Sequence, residues 1–100
     1  MFLHIGGNMV IPTKSIIAIF DIDNTTVSKF TKEFLKTAEE EGFVKSVNNE
    51  LPKSFVITET DKKSIIYLSP ISSVTLQKRV RQFERMADNN KKKYKTNKNV

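Results

Sequence analysis

Two periods alternate along this chain. The short apolar runs "MFLHI" and "NMVIP" flank Gly6-Gly7 and predict two strands around a glycine turn. Pro12 has no amide hydrogen to give to a ladder, so it suits a strand end or an edge. The run "SIIAIFDI", Ser15 to Ile22, is too short for a typical helix and too apolar for the surface, and it predicts a central strand. Then the period changes. Val27, Phe30, Phe34, Leu35 and Ala38 recur at helical spacing, Asn24, Thr25 and Thr26 are N-cap types, and Gly42 suits the position after a helix end. An amphipathic helix over about residues 26–41 follows from that spacing.

The second half repeats the alternation. "FVKSV" predicts a short strand and "NNELP" a turn. In "KSFVITET", Phe55 and Ile57 alternate with Val56 and Thr58. "DKK" turns the chain and "SIIYLS" returns it, so a hairpin is expected. "SPISSVTLQKRVRQFERM" opens a second helix, with Pro70 ahead of it and Ser72 or Ser73 to cap it. The fold class expected is a small α+β domain, a mostly antiparallel sheet with two amphipathic helices, over residues 1–88. Residues 89–100 are polar, basic and low in complexity, and a disordered tail is expected there.

Composition narrows the picture. One hundred residues make one small domain, of a size that often gains stability by self-association. No apolar run approaches the roughly 18 residues that cross a bilayer. The N-terminal stretch lacks a basic region and a small-residue cleavage site, so it reads as structure and not as a signal peptide. The chain has no cysteine, which excludes disulfides and cysteine-based zinc sites and fits a cytoplasmic setting. His4 is the single histidine, expected as a partly buried strand residue and not as a metal ligand. No cofactor, membrane or small-molecule substrate is indicated.

Charge changes it more. Residues 1–75 carry eight lysines and nine acids, whereas residues 76–100 carry nine Lys/Arg and two acids. The second helix also sorts its residues by side. Leu76, Val80, Phe83 and Ala87 lie at i, i+4, i+7 and i+11, one apolar stripe. Lys78, Arg81 and Arg85 lie near the opposite side, with Arg79 on a flank. A clean basic side beside a basic tail points to an anionic partner, and each phosphate it neutralised would steepen the salt dependence of binding.

The segment "FDIDNTT" offers a competing chemistry. It resembles the first motif of the haloacid-dehalogenase-like phosphatases, in which an apolar strand ends in Asp-x-Asp-x-Thr, a nucleophile followed by a general acid/base. Carboxylates at i and i+2 of a strand face one way and can reach one phosphate. Phosphoryl transfer also needs a cation for the phosphate oxygens and further acids for Mg²⁺. Here the later acids Glu50, Glu59 and Asp61 fall in turn or hairpin positions, and no later apolar strand ends in an acid pair. Asp21, Asp23 and Asn24 are therefore expected to end a strand and cap a helix. The same stretch fails as a calcium loop, with Thr26 where glycine is needed and Lys32 where the bidentate Glu belongs.

Three segments carry a broader resemblance: "HIGGNMVIPTKSIIAIFD", "VNNELPKSFVIT" and "IYLSPISSVTLQKR". Together, over roughly residues 1–80, they resemble the RemA/RemB family of bacterial extracellular-matrix (biofilm) regulators, and within it the RemB-like members. The resemblance implies a DNA-binding transcriptional regulator of matrix genes and no enzyme. It implies a ring-shaped homo-oligomer around which double-stranded DNA would bend. It also implies DNA contacts from two loops, where this chain offers Lys14 and Lys53. RemA-like members have an arginine pair in the second loop, whereas Glu50 and Leu51 stand here, a departure the RemB-like members share. The expected DNA-binding residues are Lys14, Lys53, Lys78, Arg79 and Arg81. The alternatives are a protein-interaction module that modulates a RemA-type regulator without touching DNA, and, more remotely, a minimal aspartate-dependent phosphatase.

Overall fold

The computed structural model describes residues 1–22 and 29–98, and beyond Asp88 it describes the backbone path alone. Strands β1 (Phe2–Gly6) and β2 (Met9–Pro12) form an antiparallel hairpin with Leu3 opposite Ile11. Gly6 and Gly7 make its turn at φ values of 122° and 53°, in the region that favours glycine. Alternation then decides the hairpin's faces: Leu3, Ile5 and Ile11 are buried, whereas Phe2, His4 and Val10 point to solvent. A single 3-10 turn, Thr13–Ser15, leads into β3 (Ile16–Asp21).

Four strands build the main sheet, in the order β3-β5-β6-β4. β5 (Ser54–Glu59) and β6 (Ser64–Ser69) are the expected hairpin and occupy its centre. β4 (Val44–Ser46) lies parallel to β6, with Val44 beside Ile66, and every other pairing is antiparallel. The α+β class expected from the sequence is therefore the one observed.

β3 corrects one expectation, because it is an edge strand and not a central one. Its apolar residues have local uses. Ile16 and Ile19 pack toward the second helix, and Phe20 stacks on Phe55 with ring centroids 5.1 Å apart. Ile17 is the extra residue of a bulge between Ile16 and Ala18, and 60% of its surface stays exposed.

The core divides between the two faces of β5. On one face Val56 meets Leu3, Ile5, Ile11 and Leu76, joining the β1–β2 hairpin to the second helix. On the other, Phe55 meets Ile66 and Ala38 of the first helix. That helix, α1 (Lys29–Glu40), ends as the sequence requires. Gly42 adopts φ 81°, its amide donates to the Glu39 carbonyl (3.0 Å) and the Phe43 amide donates to the Ala38 carbonyl (2.8 Å), a Schellman ending. The expected N-cap residues lie outside the described residues. Of the apolar stripe expected on α1, Val27 lies outside the described residues, Leu35 and Ala38 reach the sheet, and Phe30 and Phe34 are exposed.

The second helix, α2, runs Ser73–Lys98. Ser72 caps it, its Oγ accepting the Thr75 amide at 3.2 Å, the third helical position. Leu76 is fully buried, and Val80 and Phe83 pack beside it. Ala87, the last position of the predicted stripe, is exposed, so among the described side chains Phe83 is the last of α2 on the core. The helical backbone continues to Lys98, past Asp88, where composition places the end of the domain.

Candidate nucleic-acid interface

The heptad-like spacing of Leu76, Val80 and Phe83 anchors α2 on the β1–β2 hairpin and β3, and so decides where its cations go. Lys78, Arg81, Gln82 and Arg85 line one open hollow on the side turned away from the core. Lys78, Arg81 and Arg85 are exposed side chains on one helix, close enough to meet one polyanion together. Arg81 also lines the groove between α2 and β3, with Thr13, Ile16, Val80 and Glu84.

Arg79 has a different setting. It is half-buried on the flank of α2, and its Nη1 donates to the His4 carbonyl at 3.0 Å. Its guanidinium thus ties the helix to β1 and keeps further donors for a ligand. His4 itself is exposed, not half-buried as expected, and its Nε2 donates to the Gly7 carbonyl at 2.8 Å.

The two loop lysines lie at opposite ends of the β3–β5 ladder. Lys14 is exposed on the 3-10 turn, next to Thr13 of the α2–β3 groove. Lys53 immediately precedes β5, where Asp21 pairs with Ser54. Its backbone is held from both sides, its amide donating to the Ser69 carbonyl (2.8 Å) and its carbonyl accepting the Ile22 amide (3.0 Å), while its side chain is exposed. Five strand steps of ~3.3 Å separate the ends, about 17 Å. The structure therefore brings Lys78 and Arg81 together, sets Lys14 at the same end as Arg81, and leaves Lys53 apart. In the second loop the Glu50 amide donates to Asn48 Oδ1 (3.0 Å), closing an Asx turn, and Leu51 is 88% exposed.

A further cationic hollow is not legible in the sequence. Lys45, Lys62 and Lys63 gather with Phe43 between the start of β4 and the β5–β6 turn. The parallel pairing of β4 with β6 brings these distant residues together, and spacing along the chain holds no signal for it.

Asp21 ends β3 as expected, at the exposed margin of an edge strand, and its partner Asp23 lies outside the described residues. Among the described residues no three His, Cys, Asp or Glu side chains are gathered to hold a metal ion. No helix among them is long and apolar enough to cross a membrane.

Comparison with known proteins adds two findings. Residues 2–80 match the family model of RemA-like proteins, described as extracellular matrix regulatory protein A-like. The chain is also 42% identical over 79 residues to extracellular matrix regulatory protein B of Bacillus subtilis (strain 168), covering 79% of this chain and 89% of the relative. The matched span includes β1 to β6, α1 and the first two turns of α2, and it stops before Arg81.

Proposed function

The chain belongs to the RemA-like family of extracellular matrix regulatory proteins, and from that premise we propose that it regulates matrix genes by binding duplex DNA as a homo-oligomer. The observation that carries DNA binding is the sorting of α2, with Leu76, Val80 and Phe83 on the core and Lys78, Arg81 and Arg85 lining one solvated hollow. Lys14, Lys53, Lys78, Arg79 and Arg81 make the contacts, all to phosphate. Phosphate contacts position a protein on a duplex without reading sequence, so preference for particular promoters arises from DNA deformability. A single patch of this size binds weakly. Several copies in one closed assembly bind a long duplex with avidity, and because the loop lysines sit beyond opposite ends of a ladder about 17 Å long, neighbouring copies offer an extended track of contacts.

Self-association is supported by the surface of the single chain. Ile17, Phe20, Phe30 and Leu51 are among the large apolar side chains left exposed. The single chain thus keeps apolar surface that neighbours would cover.

A second reading has its own observation. Glu50 and an almost fully exposed Leu51 stand in the loop where RemA-like members would place two arginines. A protruding leucine suits a protein partner better than a phosphate, so the alternative is a module that modulates a RemA-type regulator. A salt-titrated shift assay on long duplex DNA decides between them. Binding that weakens steeply with salt, and weakens further in Lys78→Ala/Arg81→Ala, is expected. Absence of duplex binding even at low salt removes the DNA reading and leaves the interaction module.

A further inference from the structure

Among the side chains described, which run to Asp88, the last of α2 to pack on the core is Phe83, and the helical backbone continues to Lys98, fifteen residues or about 22 Å farther. At 100° per residue, helix positions 78, 81, 85 and 92 fall within an arc of about 60°. That arc lies opposite the positions of Leu76, Val80 and Phe83. All four positions hold a cation, Lys78, Arg81, Arg85 and Lys92, over about 21 Å of axis, with Asp88 on the border of the arc. The basic side of α2 is therefore one straight line of helix positions that begins beside the folded core and continues into the distal half of the helix.

We infer that the distal half of α2 is a basic helical arm that lies along duplex DNA, with Arg85 and Lys92 extending the phosphate contacts of Lys78 and Arg81. This rests on the duplex-binding reading above and adds a contact segment beyond the part of the chain that matches the family model, which ends at residue 80.

Two features select a nucleic acid over an acidic protein as the occupant. Between Glu84 and Lys98 the sequence has three hydrophobic residues, Met86, Ala87 and Tyr94, too few for the apolar centre of a protein interface. Duplex DNA needs no such centre. It presents one negative charge per ~1.7 Å of axis, so a line of cations about 21 Å long meets a dense negative field along its whole length. The arm also repels itself. Lys91 and Lys95 are an i, i+4 pair and Lys95 and Lys98 an i, i+3 pair, arrangements that loosen an isolated helix. A polyanion removes that repulsion, so binding and helix formation in the arm are coupled.

The test uses the full chain, a fluorescent long duplex and equilibrium titrations at several salt concentrations. Arg85→Ala/Lys92→Ala removes two cations on the line, and Lys91→Ala/Lys98→Ala removes two cations about 110° and 130° around the helix from its middle. The on-line pair is expected to lower the slope of log K against log salt by about 1.8, while the off-line pair changes it by less than half as much. Far-ultraviolet circular dichroism is expected to show added helix on duplex binding in the wild type. Equal slope changes for the two pairs would show diffuse tail charge and overturn the arm. Wild-type binding whose slope neither pair alters would overturn it too, while leaving duplex binding intact. Absence of wild-type binding would remove the underlying reading itself. Competition by polyglutamate as effective as by DNA of equal charge would assign the arm to an acidic protein instead.

Discussion

Single residues hold this small core together by unusually polar means. Ser54 and Ser69 are both fully buried, yet each has its hydrogen bonds made. Ser69 Oγ donates to the Ile5 carbonyl and accepts the Ile71 amide (3.1 Å), while Ser54 Oγ donates to the Ile71 carbonyl (2.7 Å). These two hydroxyls join the β1–β2 hairpin, the end of β6 and the approach to α2. No buried side-chain polar atom is left without a partner among the described residues. Ser69→Ala strands the Ile5 carbonyl and the Ile71 amide, and a loss of about 1–3 kcal/mol in urea unfolding is expected. An unchanged midpoint and slope would show that water or backbone movement replaces both bonds. Gly6 is constrained more tightly. A Cβ at its position would stand 2.8 Å from Cδ and 2.9 Å from Cγ of Pro70, and its φ of 122° is one that other residues rarely adopt. Gly6→Ala is expected to destabilise by more than ~1 kcal/mol, whereas the same change at Gly42, where a Cβ would meet nothing within 4 Å, isolates the backbone strain alone.

At the scale of elements, α2 has two halves with separate duties. The first turns anchor the fold, and the rest presents charge. Leu76→Ala empties a fully buried site among Leu3, Ile5, Ile11 and Val56, and a loss of about 2–5 kcal/mol is expected, a large share of the stability of a domain this small. Met86→Ala, on the exposed half, is expected to change stability by less than ~0.5 kcal/mol. Equal losses at the two sites, measured by thermal melting, would mean that the distal half also packs against the core. β3 and β4 are the other elements with open sides, since both end the main sheet. The bulge at Ile17 twists β3 away from flat pairing, and β4 is only three residues long, two of the devices by which proteins keep sheet edges from uncontrolled growth.

For the whole molecule, the two proposed associations respond oppositely to salt. Phosphate contacts weaken as salt rises, because counterion release loses its advantage. Assembly through Ile17, Phe20, Phe30 and Leu51 is apolar and gains from an excluded salt such as sulfate. Light scattering in sulfate is therefore expected to show a mass several times 11.5 kDa, retained or increased as duplex binding disappears. A monomer at all concentrations, in either salt, would end the proposal of a homo-oligomer. The two curves together separate the assembly from its ligand, which neither measurement does alone.

The sequence by itself determined the strands, the two helices and the class they belong to, though not the 3-10 turn Thr13–Ser15. Alternation marked β5, the glycine pair marked the first hairpin, Gly42 marked the end of α1, and the i, i+4, i+7 spacing of Leu76, Val80 and Phe83 set α2 with its basic side outward. These are local signals, written by periods of 2 and 3.6 and by backbone preferences within a few residues. The three matched segments held the family as well. Tertiary structure alone decided which strands lie at the centre, because apolarity reports burial but not on which side a neighbour stands, and β3 buries its isoleucines against a helix while remaining an edge. It decided that Arg79 ties α2 to β1 while Lys78 and Arg81 stay open, and that Lys14 and Lys53 stand at opposite ends of one ladder. It also gathered Lys45, Lys62 and Lys63 beside Phe43. Each of these depends on a pairing between residues distant in the chain, and pairing registers of that kind leave no period in the sequence to be read.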